Sequence, residues 1–493
     1  MKQRLTRILA LSLLILMISS LVLSCADKEN NGEVTTTGDG VSDTQPADTD
    51  AETTHLYPEY VEKDYGGAEF HILRFDTEGA NNWNGIPGEI VSEGDTGDYL
   101  ASAVYARNLV VEERFKVKIV VTNHGNGLST LFQNDVLSGD STYSLVMQRL
   151  TEISRLYNLG LIASLDNLDV DFSMPWYDQN SVNTFTMKGK LYSVLSDITF
   201  TDKLSTVVTF YNKTFGETIG MSSLYQTALD GNWTLDKMLS YAPQVSSDAN
   251  NDGKMDQNDV YCISAQNDGS YYFLNSAGIP TIENDGENIT FSLNTERAIN
   301  ALEKIFGIMN DTSIYFNRQT YSLSTSDVAA MFANNQALFM VRPLQSLYDL
   351  RAHEAAFEVI PMPKFYDTQE SYYAPVNPYA STAICIPVDG RDYERTGLVL
   401  DLMAAESHYR VMPDFYNVVL DVRLISDDIG AQILDIVFEN RIYDLGIMWN
   451  FGNLRSAIVV KNMTGIASTI KGLSKAVDKA IEDMIKDIEN LKN

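Results

Sequence analysis

The sharpest chemical pattern in the sequence is Asp248-Ala249-Asn250-Asn251-Asp252-Gly253-Lys254-Met255-Asp256-Gln257-Asn258-Asp259. Side-chain oxygens fall at its first, third, fifth, ninth and twelfth positions, from Asp248, Asn250, Asp252, Asp256 and Asp259, and the Lys254 carbonyl falls at the seventh. Hard oxygens at this spacing, with Gly253 for the sharp turn and Met255 as the apolar eighth residue, wrap a loop around one calcium ion. The twelfth residue is a short Asp where such loops use a longer Glu, so a structural Ca2+ is expected to bind weakly, at about 10⁻⁴–10⁻³ M. A metal-free acidic turn is the alternative. Other chemistry is thinly supported. His55, His71, His124, His353 and His408 are scattered without H-x-H or H-E-x-x-H spacing, and no C-x-x-C occurs. Cys262 and Cys385 sit in apolar runs and read as free core residues, with a disulfide between them as the alternative that export would permit. Neither a G-x-S-x-G elbow nor a phosphate-binding or dinucleotide glycine loop is present. A carboxylate pair for glycoside hydrolysis needs only closeness in space, about 5–10 Å, which sequence spacing does not report.

The elements that must carry such groups follow from periodicity. Apolar alternation predicts strands at Glu69–Phe75, Lys116–Thr122 and Tyr143–Arg149, interleaved with helices at Tyr99–Phe115, Leu128–Leu137 and Leu150–Leu161. Strand–helix alternation of this kind argues for an α/β fold with a mostly parallel sheet covered on both faces. Between Leu165 and Phe215 come two more β-rich runs, Lys190–Leu195 after the Lys188-Gly189 turn, and Thr206–Tyr211. They read either as adjacent strands of one core or as a chain crossing between two lobes. Downstream lie a hairpin around Asp285-Gly286, a helix at Thr295–Met309, and strands at Gln336–Arg342, Phe357–Pro361 and Ala383–Pro387. The C-terminal part is helical, at Gly397–Ala405, Pro413–Leu420, Ile429–Phe438 and Ile466–Leu491. No internal repeat marks a solenoid.

Residues 1–24 read as a signal peptide: Lys2, Arg4 and Arg7 precede an apolar stretch, Ile8–Val22, that is short for a membrane span. The segment ends Val22-Leu23-Ser24-Cys25, which resembles the lipobox of bacterial lipoproteins. That resemblance implies a diacylated Cys25 and a chain exported and anchored at the extracellular face of the cell membrane, since two acyl chains give stable attachment. An ordinary signal peptide with an incidental Cys25 is the alternative. Residues 25–57 mix Asp and Glu with Thr, Gly and Ser and almost no apolar residues, the composition of an acidic disordered linker. A formal net charge of −30 argues against nucleic acid or an anionic bilayer surface as partner. What remains of the 493 residues exceeds one ordinary core, so two lobes are expected.

The run Gly189-Lys190-Leu191-Tyr192, followed by Thr206-Val207-Val208-Thr209-Phe210-Tyr211-Asn212-Lys213-Thr214-Phe215, resembles a specific crossing segment. It is the one by which family-1 extracellular solute-binding proteins of bacterial ABC importers, the maltose-binding-protein-like group, pass from their first lobe into the second. Further resemblances follow in order along most of the chain from Tyr65. They are the D-x-N-x-D-G-K phrase of the 248–259 loop, Gly269-Ser270-Tyr271-Tyr272-Phe273, Ile360-Pro361-Met362-Pro363-Lys364, and Asn440–Gly452. Tyr261-Cys262 stands where the family has a Tyr-Gly pair. The resemblance implies a two-lobed periplasmic-binding-protein-like (type II) fold with hinges near Ile198–Val207 and Pro363–Tyr373 and a helical C-terminal part. Lobe 1 would span 58–203, completed by 368–412; lobe 2 would span 204–367, completed by 413–493. It further implies a monomeric substrate-binding lipoprotein without catalysis, which captures a carbohydrate, an oligosaccharide above all, and delivers it to a membrane permease.

Candidate ligand contacts are Trp83, Arg149, Asp197, Tyr271, Arg342, Tyr379 and Trp449, each beside an expected strand end, crossing or cleft loop. Aromatic rings stack on the apolar faces of sugars, while Asp and Arg satisfy hydroxyls, and a buried polar group left unpaired costs about 1–3 kcal/mol. Tyr271 owes its place to the resemblance, which puts a sugar-stacking tyrosine there. Core packing and internal ion pairing are the competing roles for these residues; Trp176, Tyr177 and Trp233 read as structural. An uncharged or weakly polar sugar is the expected ligand. A surface-anchored glycan-processing enzyme with a carboxylate pair in its cleft is the alternative function. An adhesive surface protein would instead show β-sandwich strands and repeats.

Overall fold

The computed structural model describes Tyr57, 60–76, 88–94, 98–420 and 428–490. The expected signal peptide, Cys25, nearly all of the acidic linker, and Trp83 lie outside these residues. Two five-stranded sheets carry the fold. The first runs Val117–His124, Ala68–Phe75, Leu145–Arg149, Thr382–Pro387, Ile162–Ala163. Its first three strands are parallel, and Thr382–Pro387 is antiparallel to both neighbours. The second runs Tyr315–Asn317, Tyr261–Ala265, Ala337–Pro343, Val207–Asn212, Phe357–Ile360. Again the first three are parallel, with Val207–Asn212 antiparallel to both of its neighbours. Every residue of Val207–Asn212, Tyr261–Ala265, Ala337–Pro343 and Phe357–Ile360 is buried. This is the signature of strands covered on both faces, and it explains why they read as continuous apolar runs.

The chain passes from the first sheet to the second through 193–206 and returns through 361–381. Helix Tyr393–Glu406 then packs on Tyr99–Phe115 in the first lobe, and Asp428–Glu439 packs on the Phe357–Ile360 strand of the second. Helix Leu445–Trp449 packs on Leu150–Asn158, and the amphipathic Ile466–Asn490 lies on Glu296–Asn310. One expected strand is much shorter than its apolar run. Only Lys190–Leu191 pairs, with Thr186–Met187, in a hairpin turned by Lys188 and Gly189 at φ 52° and 69°. Beyond it the backbone leaves the hairpin for the first sheet, where Val194 and Ile384 exchange hydrogen bonds of 3.0 and 2.9 Å. Tertiary pairing takes over from local propensity there. Cys262 and Cys385 are both free and buried.

Candidate functional site

A cavity of about 620 Å³ opens at the carboxyl ends of the second sheet's three parallel strands, where open α/β sheets bind ligands. Tyr261–Ala265 delivers Gln266, Asn267 and Asp268; Tyr315–Asn317 delivers Arg318 and Gln319; the end of Ala337–Pro343 supplies Arg342. Ser324 and Thr325 come from the start of helix Thr325–Ala333, whose capping box joins Ser324 and Asp327. Asn377, Tyr379 and Ala380 come from the return crossing, and Val459 from the C-terminal part. Gly269 is required by close approach: a Cβ there would meet the Tyr315 hydroxyl at 2.4 Å. That hydroxyl donates to the Gln266 carbonyl at 2.8 Å and fixes the backbone of the cavity wall.

Polar groups in the wall are tied together. Arg318 Nε and Arg342 Nη1 both donate to Gln266 Oε1 at 2.9 Å, and Gln266 Nε2 donates to Asp268 Oδ2 at 2.7 Å. Arg318 Nη1 also donates to the Leu323 carbonyl at 2.8 Å, and Arg342 Nε to Ser346 Oγ at 3.3 Å. Burial raises the Asp268 pKa, opposed by Arg318 and Arg342. Burial, reinforced by the like charge of Arg318, lowers Arg342 to about 10, and burial lowers Arg318 too. Burial and the Asp268 charge push Tyr379 up to about 12. The Arg455 guanidinium lies 5.6 Å from the Tyr379 ring centroid. Guanidinium and amide donors, a carboxylate, hydroxyls and an aromatic face suit a ligand that is polar around its edge and apolar on a face.

Of the expected contacts, the structure brings Arg342 and Tyr379 together in this cavity. Arg149 ends a strand of the first sheet, its Cζ 4.3 Å from the Phe75 ring centroid, where burial and the nearby Arg455 lower its pKa against the pull of Glu152. Tyr271 is 0% exposed and meets Tyr272 edge-on at 4.6 Å. Trp449 is buried between Phe451, at 6.3 Å, and Tyr157, at 5.7 Å. Neither ring lines the cavity. Asp197 sits in a buried ion network at the crossings: Lys203 Nζ lies 2.8 Å from it and 3.2 Å from Asp202, and His408 Nδ1 lies 2.7 Å from it. Arg441 extends that network by pairing with Asp178 and, at 3.0 Å, with Asp202. Burial alone would raise the Asp197 pKa, but Lys203 and His408 bring it below the ordinary carboxylate range. Trp176 and Tyr177 are buried and both donate to Asp401, at 2.8 and 2.9 Å.

Gln266, Asn267, Asp268, Arg318, Gln319 and Asn377 are cavity residues that sequence reasoning missed. The first three directly follow an apolar run, a signal that was present; Arg318 follows a strand of three residues, too short for periodicity to mark. The 248–259 loop contributes nothing to the cavity lining. Its carboxylates accept from backbone amides, Asp248 from Gly253 at 2.8 Å and Asp259 from Ala249 and Asp256 at 2.9 and 2.7 Å. Among the described residues no three His, Cys, Asp or Glu side chains converge as a metal-holding group. No helix among them is long and apolar enough to cross a membrane.

Solved structures share this architecture at low identity. The cyclic α-maltosyl-1,6-maltose binding protein of Arthrobacter globiformis superposes with a TM-score of 0.55 at 14% identity, covering 85% of this chain and 100% of that one. The maltose/maltodextrin-binding domain of Bdellovibrio bacteriovorus, bound to maltotriose, gives 0.51 at 14%, covering 84% and 100%. A Listeria monocytogenes ABC substrate-binding protein in complex with cycloalternan gives 0.50 at 16%, covering 86% and 99%. These likenesses establish the two-lobed type II periplasmic-binding-protein fold. No curated protein matches the chain. The sequence itself matches the family described as bacterial extracellular solute-binding protein over residues 111–405, a family of binding proteins rather than enzymes. With that match spanning more than half its length, the chain belongs to the bacterial extracellular solute-binding proteins.

Proposed function

We propose that this protein binds a carbohydrate, an oligosaccharide above all, between its two lobes and hands it to the permease of an ABC importer. The observation that carries the reading is the cavity at the carboxyl ends of the second sheet, where the Arg318–Gln266–Arg342 cluster and Asp268 face Tyr379. Hydroxyls need both donors and acceptors at fixed places, and a ring face needs an aromatic platform; the wall supplies all three. Oligosaccharides in the structures of the Bdellovibrio and Listeria proteins support the ligand class. The glycan-processing alternative is disfavoured because Asp268 is the one carboxylate in the cavity lining among the described residues, and two-carboxylate hydrolysis needs a pair. Ligand closes the lobes about the 193–206 and 361–381 crossings, a population shift toward the form a permease reads. The Val22–Cys25 phrase supports export with lipid anchoring at Cys25, a single chain tethered at the outer face of the membrane.

Calorimetry of the purified protein against linear and cyclic oligosaccharides and against peptides tests the ligand class. Binding of a sugar without cleavage, with a smaller radius of gyration in solution scattering, is expected. Cleaved sugar after long incubation, or binding of peptides alone, would overturn the reading. Replacement Cys25→Ala is expected to leave the precursor unprocessed or free in the medium.

A further inference from the structure

Two arginines line the cavity and a third lies over one of its lining rings, in a chain whose formal net charge is −30. Arg318 and Arg342 line the cavity, Arg455 lies over Tyr379, and Arg149 senses the like charge of Arg455. Among the described residues Asp268 is the carboxylate of the cavity lining, and Gln266 stands as an amide spacer between it and the two guanidiniums. Among the described residues no carboxylate oxygen lies within 4.0 Å of Arg149, Arg318 or Arg455. Two other buried cations, Lys203 and Arg441, are each held between two carboxylates, whereas Arg107 is buried away from the cavity against carbonyl, amide and serine oxygens. Arg318 directs two of its N–H groups to Gln266 and Leu323, and a guanidinium has five. Buried like charges that face a neutral amide oxygen oppose folding. Such an arrangement marks a functional site when it faces a cleft.

From this geometry we propose that the ligand is an acidic oligosaccharide: a uronic-acid carboxylate is received by Arg318 and Arg342 beside Gln266, while Tyr379 supports a sugar ring. The proposal rests on the carbohydrate reading and replaces the uncharged sugar expected from the aromatics alone. A planar carboxylate matches the guanidinium fork with two parallel N–H···O bonds, which a hydroxyl cannot do. Asp268 does not cancel the effect, because burial disfavours its charged form and Gln266 already occupies one of its oxygens. A sulfate ester would bring the same charge without the planar fit.

The test is calorimetry on the purified protein with oligomers of galacturonate, mannuronate and glucuronate. Each is paired with its carboxyl-reduced counterpart, and sulfated neutral oligomers form a third arm. At least one uronate should bind about tenfold or more tighter than its reduced partner, the worth of a charge-assisted hydrogen bond. That preference should shrink as salt rises from about 50 to 500 mM. In Arg318→Met, with its circular dichroism unchanged, the preference should narrow to within about threefold, less than such a bond is worth. Reduced oligomers binding as tightly as their acids would overturn the acidic ligand and leave the carbohydrate reading standing. Sulfated oligomers binding in place of uronates would overturn the carboxylate. Equal losses for acid and reduced sugar in Arg318→Met would make Arg318 a shape-holding residue and overturn its charge role. Binding of no sugar of either kind would overturn both readings.

Discussion

Arg441 and Arg342 are both buried guanidiniums, yet their surroundings push them in opposite directions. At the crossings, burial would lower the Arg441 pKa, but the Asp178 and Asp202 carboxylates hold it above the ordinary arginine value. In the cavity, burial and the neighbouring Arg318 bring Arg342 down to about 10. One cation sits between two carboxylates; the other donates to an amide oxygen and a serine hydroxyl in the cavity wall. The paired charge ties the crossings together; the cavity charge, on the reading proposed above, meets a ligand.

The largest expected effect comes from breaking the paired side of this contrast. Arg441→Met leaves the buried Asp178 and Asp202 without their shared cation, and should cost about 3–5 kcal/mol in urea unfolding. Arg318→Met removes hydrogen bonds to Gln266 and Leu323 but strands no carboxylate, and should cost only about 1 kcal/mol. Equal destabilisation by the two replacements would erase the distinction.

Next in size is the loss of the aromatic wall. Tyr379→Ala should weaken sugar binding by about thirtyfold, corresponding to about 2 kcal/mol for a desolvated anchor. Tyr271→Ala is expected to act differently: at 0% exposure it should cost about 3–5 kcal/mol of stability through a cavity, as large aromatics do. Calorimetry and unfolding on both variants decide the matter. Loss of affinity without loss of stability in Tyr271→Ala would put that ring on the ligand.

These expectations show where the sequence was readable. Long periodic elements such as Tyr99–Phe115 and Val207–Asn212 lie close to where alternation and amphipathicity place them, because burial on a fixed face leaves a period in the chain. Arg342 could be read because it ends a strong apolar strand. Asp197 could not be assigned, because its partner His408 lies 211 residues away and no spacing reports that contact. The tyrosines of Gly269-Ser270-Tyr271-Tyr272-Phe273 look alike in sequence; only packing makes one of them core or platform. Trp83 lies outside the described residues, and Arg149 is not among the residues that line the cavity.

A smaller effect contrasts two carboxyls. The folded pKa of Asp197 is lowered by Lys203 and His408, so its contribution is present above the unfolded value near 3.9 and fades as pH falls through the folded value. Asp268 is raised by burial, so folding loses stability as pH rises from the unfolded value through the folded one. Near neutral pH, Asp197→Asn should therefore destabilise and Asp268→Asn should stabilise. The Asp268 difference should vanish as pH falls below the unfolded value near 3.9, and the Asp197 difference only once pH has fallen through its lowered folded value. Urea midpoints across pH read the two signs directly; a shared sign would mean that burial, not partners, governs both.

The smallest expected effect belongs to the 248–259 loop, for which we propose a structural calcium remote from the ligand. Its donors are hard oxygens at the right spacing, and Gly253 makes the required turn at φ 81°. The loop is already closed by protein hydrogen bonds: Asp259 is 0% exposed and bonds amides at both ends, Tyr261 Oη donates to the Asp256 carbonyl at 2.8 Å, and Tyr321 Oη donates to Met255 at 3.2 Å. Calcium must therefore turn Asp248, Asp252 and Asp256 away from amides they already satisfy, so only modest affinity is left over. With a dissociation constant of about 10⁻⁴–10⁻³ M, 2 mM calcium stabilises the native state by about 0.6–1.8 kcal/mol. The melting temperature should rise by about 1–2 °C over that in chelator. Asp252→Ala should abolish the rise without changing the affinity for sugar, since the loop does not reach the cavity. An equal rise in the variant would move the ion elsewhere, and no rise in either protein would leave the loop a turn held by its own amides.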